Sequence, residues 1–505
     1  MRRHTVILGL AALLPFAPAA WQLLQRGIPD LLFTGDGAAL ELRVLHATRS
    51  VQLLGPYSLF GWSHPGPAYF YLALPFYEAA GERGPALNLF AFIVNAAAAL
   101  GIVYSARRQF GSLTAFAIAA LTSVYLLVGA PFVITNEWNP ILPILPFALL
   151  TVLTVPLALG ESRALPIVAF LASAIVQTHV GFGAPIAALF AVALVAHRMG
   201  GVRSSILKKG RIATVVVLAV CWALPIYEAL TARPGNIQWL IEFFAPDNLA
   251  KQTWTVAWTA MREQLAVLPL ALVRTVGVST DGPPRLQTLL LVAQGAALLA
   301  IVLSSVRNRD RGFVVLGVIP LALFSVSILA VRAIRQEVEF YLVAWISVIG
   351  LITWIVFIAY LTRWLESRFP KFRPVVAVSA VVWLLAALSG PVLRPPVFRE
   401  RDVATEALTG EIDAFLLAHS VGHPLIRIES RETWPIAVAT VLHLYKRKVP
   451  VYVEDRWLYI VGKQFTAPAG RYPELRFISR TSGQTGSRTT VADSDDVTVY
   501  FVPPS

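Results

Sequence analysis

Cysteine is nearly absent from the chain, with Cys221 alone among 505 residues. A disulfide framework and a cysteine-built metal site are both excluded, and Cys221, inside an apolar run, reads as a small buried hydrophobe. Charge is scarce too: 14% of residues are charged against 56% hydrophobic, with a mean hydropathy of +0.66. That balance excludes an ordinary soluble globular protein. Acidic residues number 29 and basic residues 42, for a net charge of +13. In a soluble protein such an excess suggests nucleic acid. Here the basic residues occupy short loops between apolar runs, which is the pattern of membrane topology, and no nucleic-acid partner is expected. The two-residue alternation of barrel strands is missing as well, so helices are left as the spanning structure that satisfies the backbone in lipid.

Eleven runs approach the length needed to cross about 30 Å of hydrocarbon. They lie at 5–24, 85–105, 111–134, 140–159, 164–180, 183–197, 212–232, 286–306, 313–331, 341–361 and 375–393. The first is read as a retained helix, with a cleaved signal peptide ending near Ala17 to Ala20 as the alternative. With a cytoplasmic amino terminus, the inner loops carry Arg107 and Arg108, Arg163, then Arg198 to Arg211, Arg307 to Arg311 and Arg363 to Arg373, as the positive-inside bias requires. This parity needs the stretch 67–81, interrupted by Pro75 and Glu78, to stay on the outer surface. It also needs Gln177 to Gly183 to break 164–197 into two spans. The outer side then receives 25–84, Thr135-Asn-Glu-Trp-Asn139, the turn at His179, 233–285 and 332–340. The expected fold is an α-helical polytopic membrane protein, with a membrane domain over 1–393 that includes the outer loop 25–84. A small extracytoplasmic α/β domain is expected over 394–505, placing the protein in the cytoplasmic (inner) membrane.

In that tail, apolar spacing predicts a helix over 403–418, a strand at 425–428 and a helix over 434–446. Strands are expected at 451–453, 475–478 and 497–501, with a polar, mobile loop from Ser479 to Asp496.

Among residues suited to chemistry, Asp36 sits between Gly35 and Gly37 at the start of a short amphipathic helix. It reads either as a base or, like Thr34, as a helix N-cap. Next comes Leu54-Gly-Pro-Tyr-Ser-Leu-Phe-Gly-Trp-Ser-His-Pro-Gly-Pro-Ala-Tyr-Phe-Tyr71, rich in turn formers and aromatics. Asp36 after the first span, His64-Pro-Gly-Pro67, Gln177-Thr-His179, Leu224-Pro-Ile-Tyr-Glu228 with Arg233-Pro-Gly-Asn236, and the C-terminal ectodomain together resemble the glycosyltransferase C superfamily. Protein O-mannosyltransferases and aminoarabinose transferases are distant relatives in it. The resemblance covers about 1–393; the tail matches in placement and size.

The resemblance implies an enzyme that takes a sugar from a polyprenyl-phosphate donor and passes it to a lipid, glycan or protein acceptor at the outer membrane face, among membrane lipids. It implies that Asp36 is the catalytic base, and that Glu137 stands where relatives carry a second outer acid, though in a different local sequence. Glu137 either orients the acceptor, helps Asp36 hold a divalent metal such as Mg or Mn, or caps a helix. No other cofactor is expected. His64 and His179, in outer turns, either hydrogen-bond phosphate or sugar or pack. Arg332 and Arg335 run against the charge bias. They either clamp the lipid phosphate or form a local ion pair, Arg335 with Glu339; Arg43 and Arg49 are weaker candidates. Tyr57, with Trp62, Tyr69 and Tyr71, either stacks on substrate or belongs to an interfacial belt. Two further readings are a ligase or polymerase using pyrophosphate carriers, and a transporter, which would carry ionisable residues at mid-membrane and related halves.

Overall fold

The computed structural model describes residues 2–200, 208–245, 252–275, 277–278, 282–369, 371, 373–389, 402–480 and 489–504. Arg203 of the expected inner loops, the junction at 393/394 and 481–488 of the expected polar loop lie outside them. The chain divides into two compact units, one of Met1–Gln25 with Ala91–Val397 and the other of Arg26–Phe90 with Phe398–Ser505.

Among the described residues, nine helices are long and apolar enough to cross a membrane, and shorter apolar helices run at Ile144–Ala158, Ser162–Thr178 and Arg373–Leu388. Together they account for all eleven expected runs. The interruption at His179 is real: helix Leu165–Thr178 ends there, a 3-10 turn covers Val180–Phe182, and helix Gly183–Met199 follows. Between Ala86–Phe110 and Ser112–Val124 the chain reverses at Gly111, whose φ of 90° suits glycine.

The basic loops of the first unit share one end. Arg107 donates to Thr5 Oγ1 at 2.5 Å, Arg108 pairs with Glu161 at 3.4 Å, and Asp310 pairs with Arg363 at 2.6 Å. Arg311 donates to the carbonyls of Ala196 and Gly200 at 3.1 and 3.3 Å. At the other end, Phe132 meets Phe340, Trp138 meets Tyr341, and Asn139 donates to the Thr178 carbonyl at 3.3 Å. The expected separation of inner from outer segments therefore holds within this unit.

The stretch 233–285 departs from the expected loop by forming helices Asn236–Phe243 and Trp254–Thr275. The longer one has the length of a span, yet its neighbours all belong to the non-basic end. Gln252 bonds to the carbonyls of Ile334 and Gln336 at 3.1 and 2.7 Å, and Arg262 donates to Gln287 at 3.0 Å. Gly350 approaches Leu265, while Gly129 approaches Val267 and Ala271. It is one of the nine helices long and apolar enough to cross a membrane, and these contacts bring Gln252, Arg262 and Ala271 toward the non-basic end.

In the second unit, helix Gly35–Ala47 is buried on every side from Gly37 to Leu45. It packs against helix Ala68–Ala79 and helix Trp434–Lys446, so it is a core helix rather than the amphipathic one expected. Each of Leu40, Leu42, Val44 and Leu45 contributes about 1.5–3 kcal/mol by leaving water. Ala68–Ala79 has 12 residues, or about 18 Å of helix, too few to span.

The tail matches its expected elements closely. Helix Val403–Ala418 is capped by Asp402, which accepts from the Thr405 N–H at 3.0 Å. Five strands, β1 Leu425–Ile428, β2 Tyr452–Val453, β3 Glu474–Ser479, β4 Thr489–Asp493 and β5 Val497–Val502, form one sheet in the order β2-β1-β3-β5-β4. β1 runs parallel to β2 and β3; β5 is antiparallel to β3 and β4. β4 is a correction, since polar composition made it read as part of a mobile loop. Its Thr489, Thr490 and Asp493 are exposed, as an edge strand allows.

Candidate functional site

Asp36 is the second residue of helix Gly35–Ala47 and is partly exposed. Its carboxylate Oδ1 accepts a hydrogen bond from the Tyr57 hydroxyl. Gly35 starts the helix at a φ of 54°, which a side chain would strain, and the Trp434 ring lies against it. Tyr57 stands on a small hairpin whose tip reverses at Gly61. Tyr57 bridges Ser63, the Ser58 N–H donates to the Trp62 carbonyl at 2.8 Å, and the His64 N–H to the Pro56 carbonyl at 2.8 Å. Strand alternation sends Trp62 and His64 to the face opposite Tyr57. There the buried His64 ring packs edge-on against Trp62, with centroids 5.4 Å apart. Asp36 and Tyr57 are thus brought together, and His64 supports the ribbon that carries Tyr57.

One turn beyond Asp36, Glu41 is fully buried. It pairs with Lys446 and accepts from the Tyr77 hydroxyl at 2.9 Å. Burial pushes its carboxyl above the usual range, opposed by the Lys446 charge and by hydrogen bonds from Lys446 and Tyr77. Burial, then Glu41, raises the Tyr77 phenol. A Cβ on Gly84 would come within 2.4 Å of Glu41 Oε2, so only glycine lets the chain pass. Arg43, two residues on, is also buried, and burial lowers its guanidinium to about 10. It donates to the Tyr459 carbonyl at 3.4 Å, while its Nε has no partner among the described residues. Sequence spacing gave Arg43 low rank and passed over Glu41, Tyr77 and Lys446. The signal was available: a helix apolar on all sides forces any charge within it to find a partner. Arg49 lies over the Tyr445 ring, 4.2 Å from its centroid, as a surface anchor does.

In the first unit, Glu137 and His179 occur at the non-basic end. Glu137 is 1% exposed, between Asn136, whose Oδ1 accepts from the Trp138 N–H at 2.9 Å, and Asn139. His179 terminates helix Leu165–Thr178 in extended conformation and packs edge-on against Phe182. The Asn139 bond to Thr178 ties the two turns together. Arg332 and Arg335 share this end with separate partners. Arg332 lies over Trp254, 3.9 Å from its ring centroid, and donates to the Gln252 carbonyl at 3.4 Å. Arg335 lies over Phe243 at 3.8 Å and donates to that residue's carbonyl. Among the described residues no ion pair joins Arg335 to Glu339, so the local pair is not its role. Both arginines instead stack on aromatics of segments expected to be loop.

Glu228 serves its own neighbourhood: both carboxylate oxygens accept from the Asn236 N–H, at 3.0 and 3.2 Å. Among the described residues no group of three or more His, Cys, Asp or Glu side chains could hold a metal ion. Asp36 and Glu137 belong to different units, and Asp36 accepts from the Tyr57 hydroxyl.

No protein-family model matches the chain, and no curated protein matches it. Solved structures do. The fold is that of ArnT from Cupriavidus metallidurans bound to undecaprenyl phosphate, with a TM-score of 0.56 and 15% identity over 98% of this chain and 97% of that one. The apo state of the same protein gives a TM-score of 0.53 and 14% identity over 98% and 97%. The whole chain therefore shares the fold of that structure, with a membrane bundle and a C-terminal part that contains a sheet.

Proposed function

We propose that this chain is an inverting membrane glycosyltransferase that moves a sugar from a polyprenyl-phosphate donor to an acceptor hydroxyl at the outer face of the cytoplasmic membrane. The observation that carries this reading is the end-to-end likeness to a protein solved with undecaprenyl phosphate, joined to an acid in the first outer loop that a tyrosine hydroxyl orients. Fold alone hosts many chemistries, so the assignment rests on the residues as well.

Asp36 takes the proton of the acceptor hydroxyl as that oxygen bonds to the anomeric carbon. The bond from that carbon to the phosphate oxygen breaks, and the electron pair leaves with the lipid phosphate. The carboxylate is partly exposed and accepts from the Tyr57 hydroxyl, so it is reachable and is held in the charged, proton-accepting form. Arg332 or Arg335 steadies the departing phosphate. Each is fixed by an aromatic face yet retains guanidinium donors, a combination that suits a phosphate oxygen better than lysine would. Glu137 and His179 contact substrate from the turns they occupy, and His64 acts indirectly by bracing the ribbon that carries Tyr57. The acceptor is a lipid, glycan or protein bearing a free hydroxyl.

The test is transfer by the purified full chain in nanodiscs, supplied with labelled undecaprenyl-phosphate sugars and cell-envelope extract as acceptor. Asp36→Asn is expected to lose about 10²–10⁴ in rate while keeping its fold. Wild-type transfer by that variant would remove Asp36 as the base.

A further inference from the structure

The ring of Tyr57 is held from outside its own loop. Trp434 meets it edge-on with centroids 6.4 Å apart at 75°, and Tyr459 does so at 6.1 Å and 64°. Both belong to the C-terminal segment, Trp434 as the first residue of helix Trp434–Lys446 and Tyr459 within the short helix Leu458–Val461. Each is fixed independently. Trp434 abuts Gly35, one residue before Asp36, and the Tyr459 carbonyl accepts from Arg43, seven residues beyond Asp36 and on the same helical face. Edge-to-face pairs contribute orientation beyond simple burial, so a ring clasped on two sides has few rotamers open to it. Its hydroxyl consequently has a fixed aim.

We propose that the C-terminal segment completes the site of the base: Trp434 and Tyr459 clasp Tyr57, and Tyr57 in turn orients and holds the Asp36 carboxylate. Tyr57, Trp434 and Tyr459 are positioning residues, and the tail is part of the catalytic apparatus rather than an appended module. The inference rests on Asp36 being the base.

The experiment reads the carboxyl directly and needs no substrate. Full-length protein in nanodiscs is treated with a water-soluble carbodiimide across a pH series, and labelling of the Asp36 peptide is followed by mass spectrometry. Tyr57→Phe removes only the hydroxyl; losing a hydrogen bond to the charged form should raise the labelling midpoint by about one pH unit. Trp434→Leu and Tyr459→Leu should move it in the same direction by less, Trp434→Phe by less again, and Tyr459→Phe, which keeps the ring, not at all. Arg43 and Arg431, the latter acting on the Tyr459 phenol, stay in place in every variant. An unmoved midpoint in Tyr57→Phe overturns the positioning role. A shift in Tyr57→Phe with none in the folded Leu variants overturns the contribution of the tail. Should Trp434→Leu aggregate, Trp434→Phe decides the point. Because labelling is independent of turnover, an Asp36→Asn enzyme that still transfers sugar would refute the base assignment separately.

Discussion

Replacing Lys446 with Met isolates the buried pair that joins the first loop to the tail. Glu41 is 0% exposed and, among the described residues, keeps only the Tyr77 hydroxyl once the ammonium is gone. A lone carboxylate in such a place takes up a proton rather than remain charged. Against an ordinary value of 4.5, holding the group neutral at pH 7 spans 2.5 pH units. At about 1.4 kcal/mol per unit this costs at most about 3.5 kcal/mol, and at pH 5 the same product over half a unit is about 0.7 kcal/mol. The sign follows from a folded-state value raised above the unfolded one. Stability is retained below the unfolded value and is lost as pH rises toward the folded value. Removing Lys446 carries the folded value further up and widens that window.

The second unit holds 65 residues from 26–90 and 108 from 398–505, 173 in all. For that size each kcal/mol moves Tm by about 2–4 °C, so the variant should melt about 7–14 °C lower at pH 7 and within a few degrees of wild type at pH 5. Tryptophan fluorescence of the full chain in detergent reports the transition, since Trp62, Trp434 and Trp457 all belong to this unit. The Glu41→Gln, Lys446→Met double variant removes both charges of the pair and should recover most of the loss at pH 7. An equal drop at both pH values, or no recovery in the double variant, would refute the reasoning.

Gly84→Ala places a methyl 2.4 Å from Glu41 Oε2 and 2.9 Å from its Cδ, where a buried pair cannot yield, and should cost about 1–3 kcal/mol in the same melting assay. The position of helix Trp254–Thr275 is open to labelling as well. In a Cys221→Ala background, Val278→Cys, a position 52% exposed, should react with an impermeant maleimide added to intact spheroplasts. Protection until the membrane is opened would mean that the helix crosses after all.

Much of the architecture is legible because lipid enforces a simple code. All eleven apolar runs become helices, and the clustering of Arg107, Arg108, Arg311 and Arg363 at one end follows from charge alone. The tail helices 403–418 and 434–446 were legible from apolar spacing, and the structure adds what fixes their starts: Asp402 caps one, and Pro435 lies inside the first turn of the other. The helix Trp254–Thr275 hid behind Arg262, Glu263 and Arg274, which interrupt the apolar run by which a span is read. β4 hid because edge strands carry polar residues, and composition cannot tell them from loop. At the candidate site, Asp36 and Tyr57 were found separately through turn chemistry and resemblance. Their hydrogen bond, and the aromatics from near residue 450 that frame it, have no local signature.

That long-range character has a consequence for how the site comes into being. Residues 37–45 form a helix with no polar face, and it holds Glu41 and Arg43 inside. Before the tail is in place, the face of this helix that meets Trp434–Lys446 and the Glu41 carboxylate lack their covering, because Lys446, Trp434 and Tyr459 lie about 400 residues further along the chain. Such separations make pairing slow and leave the early segment exposed until the last one arrives. If Asp36 is the base, as proposed above, the clasp of Trp434 and Tyr459 on Tyr57 is complete only in a chain whose C-terminal segment has been made and has folded against residues 35–57.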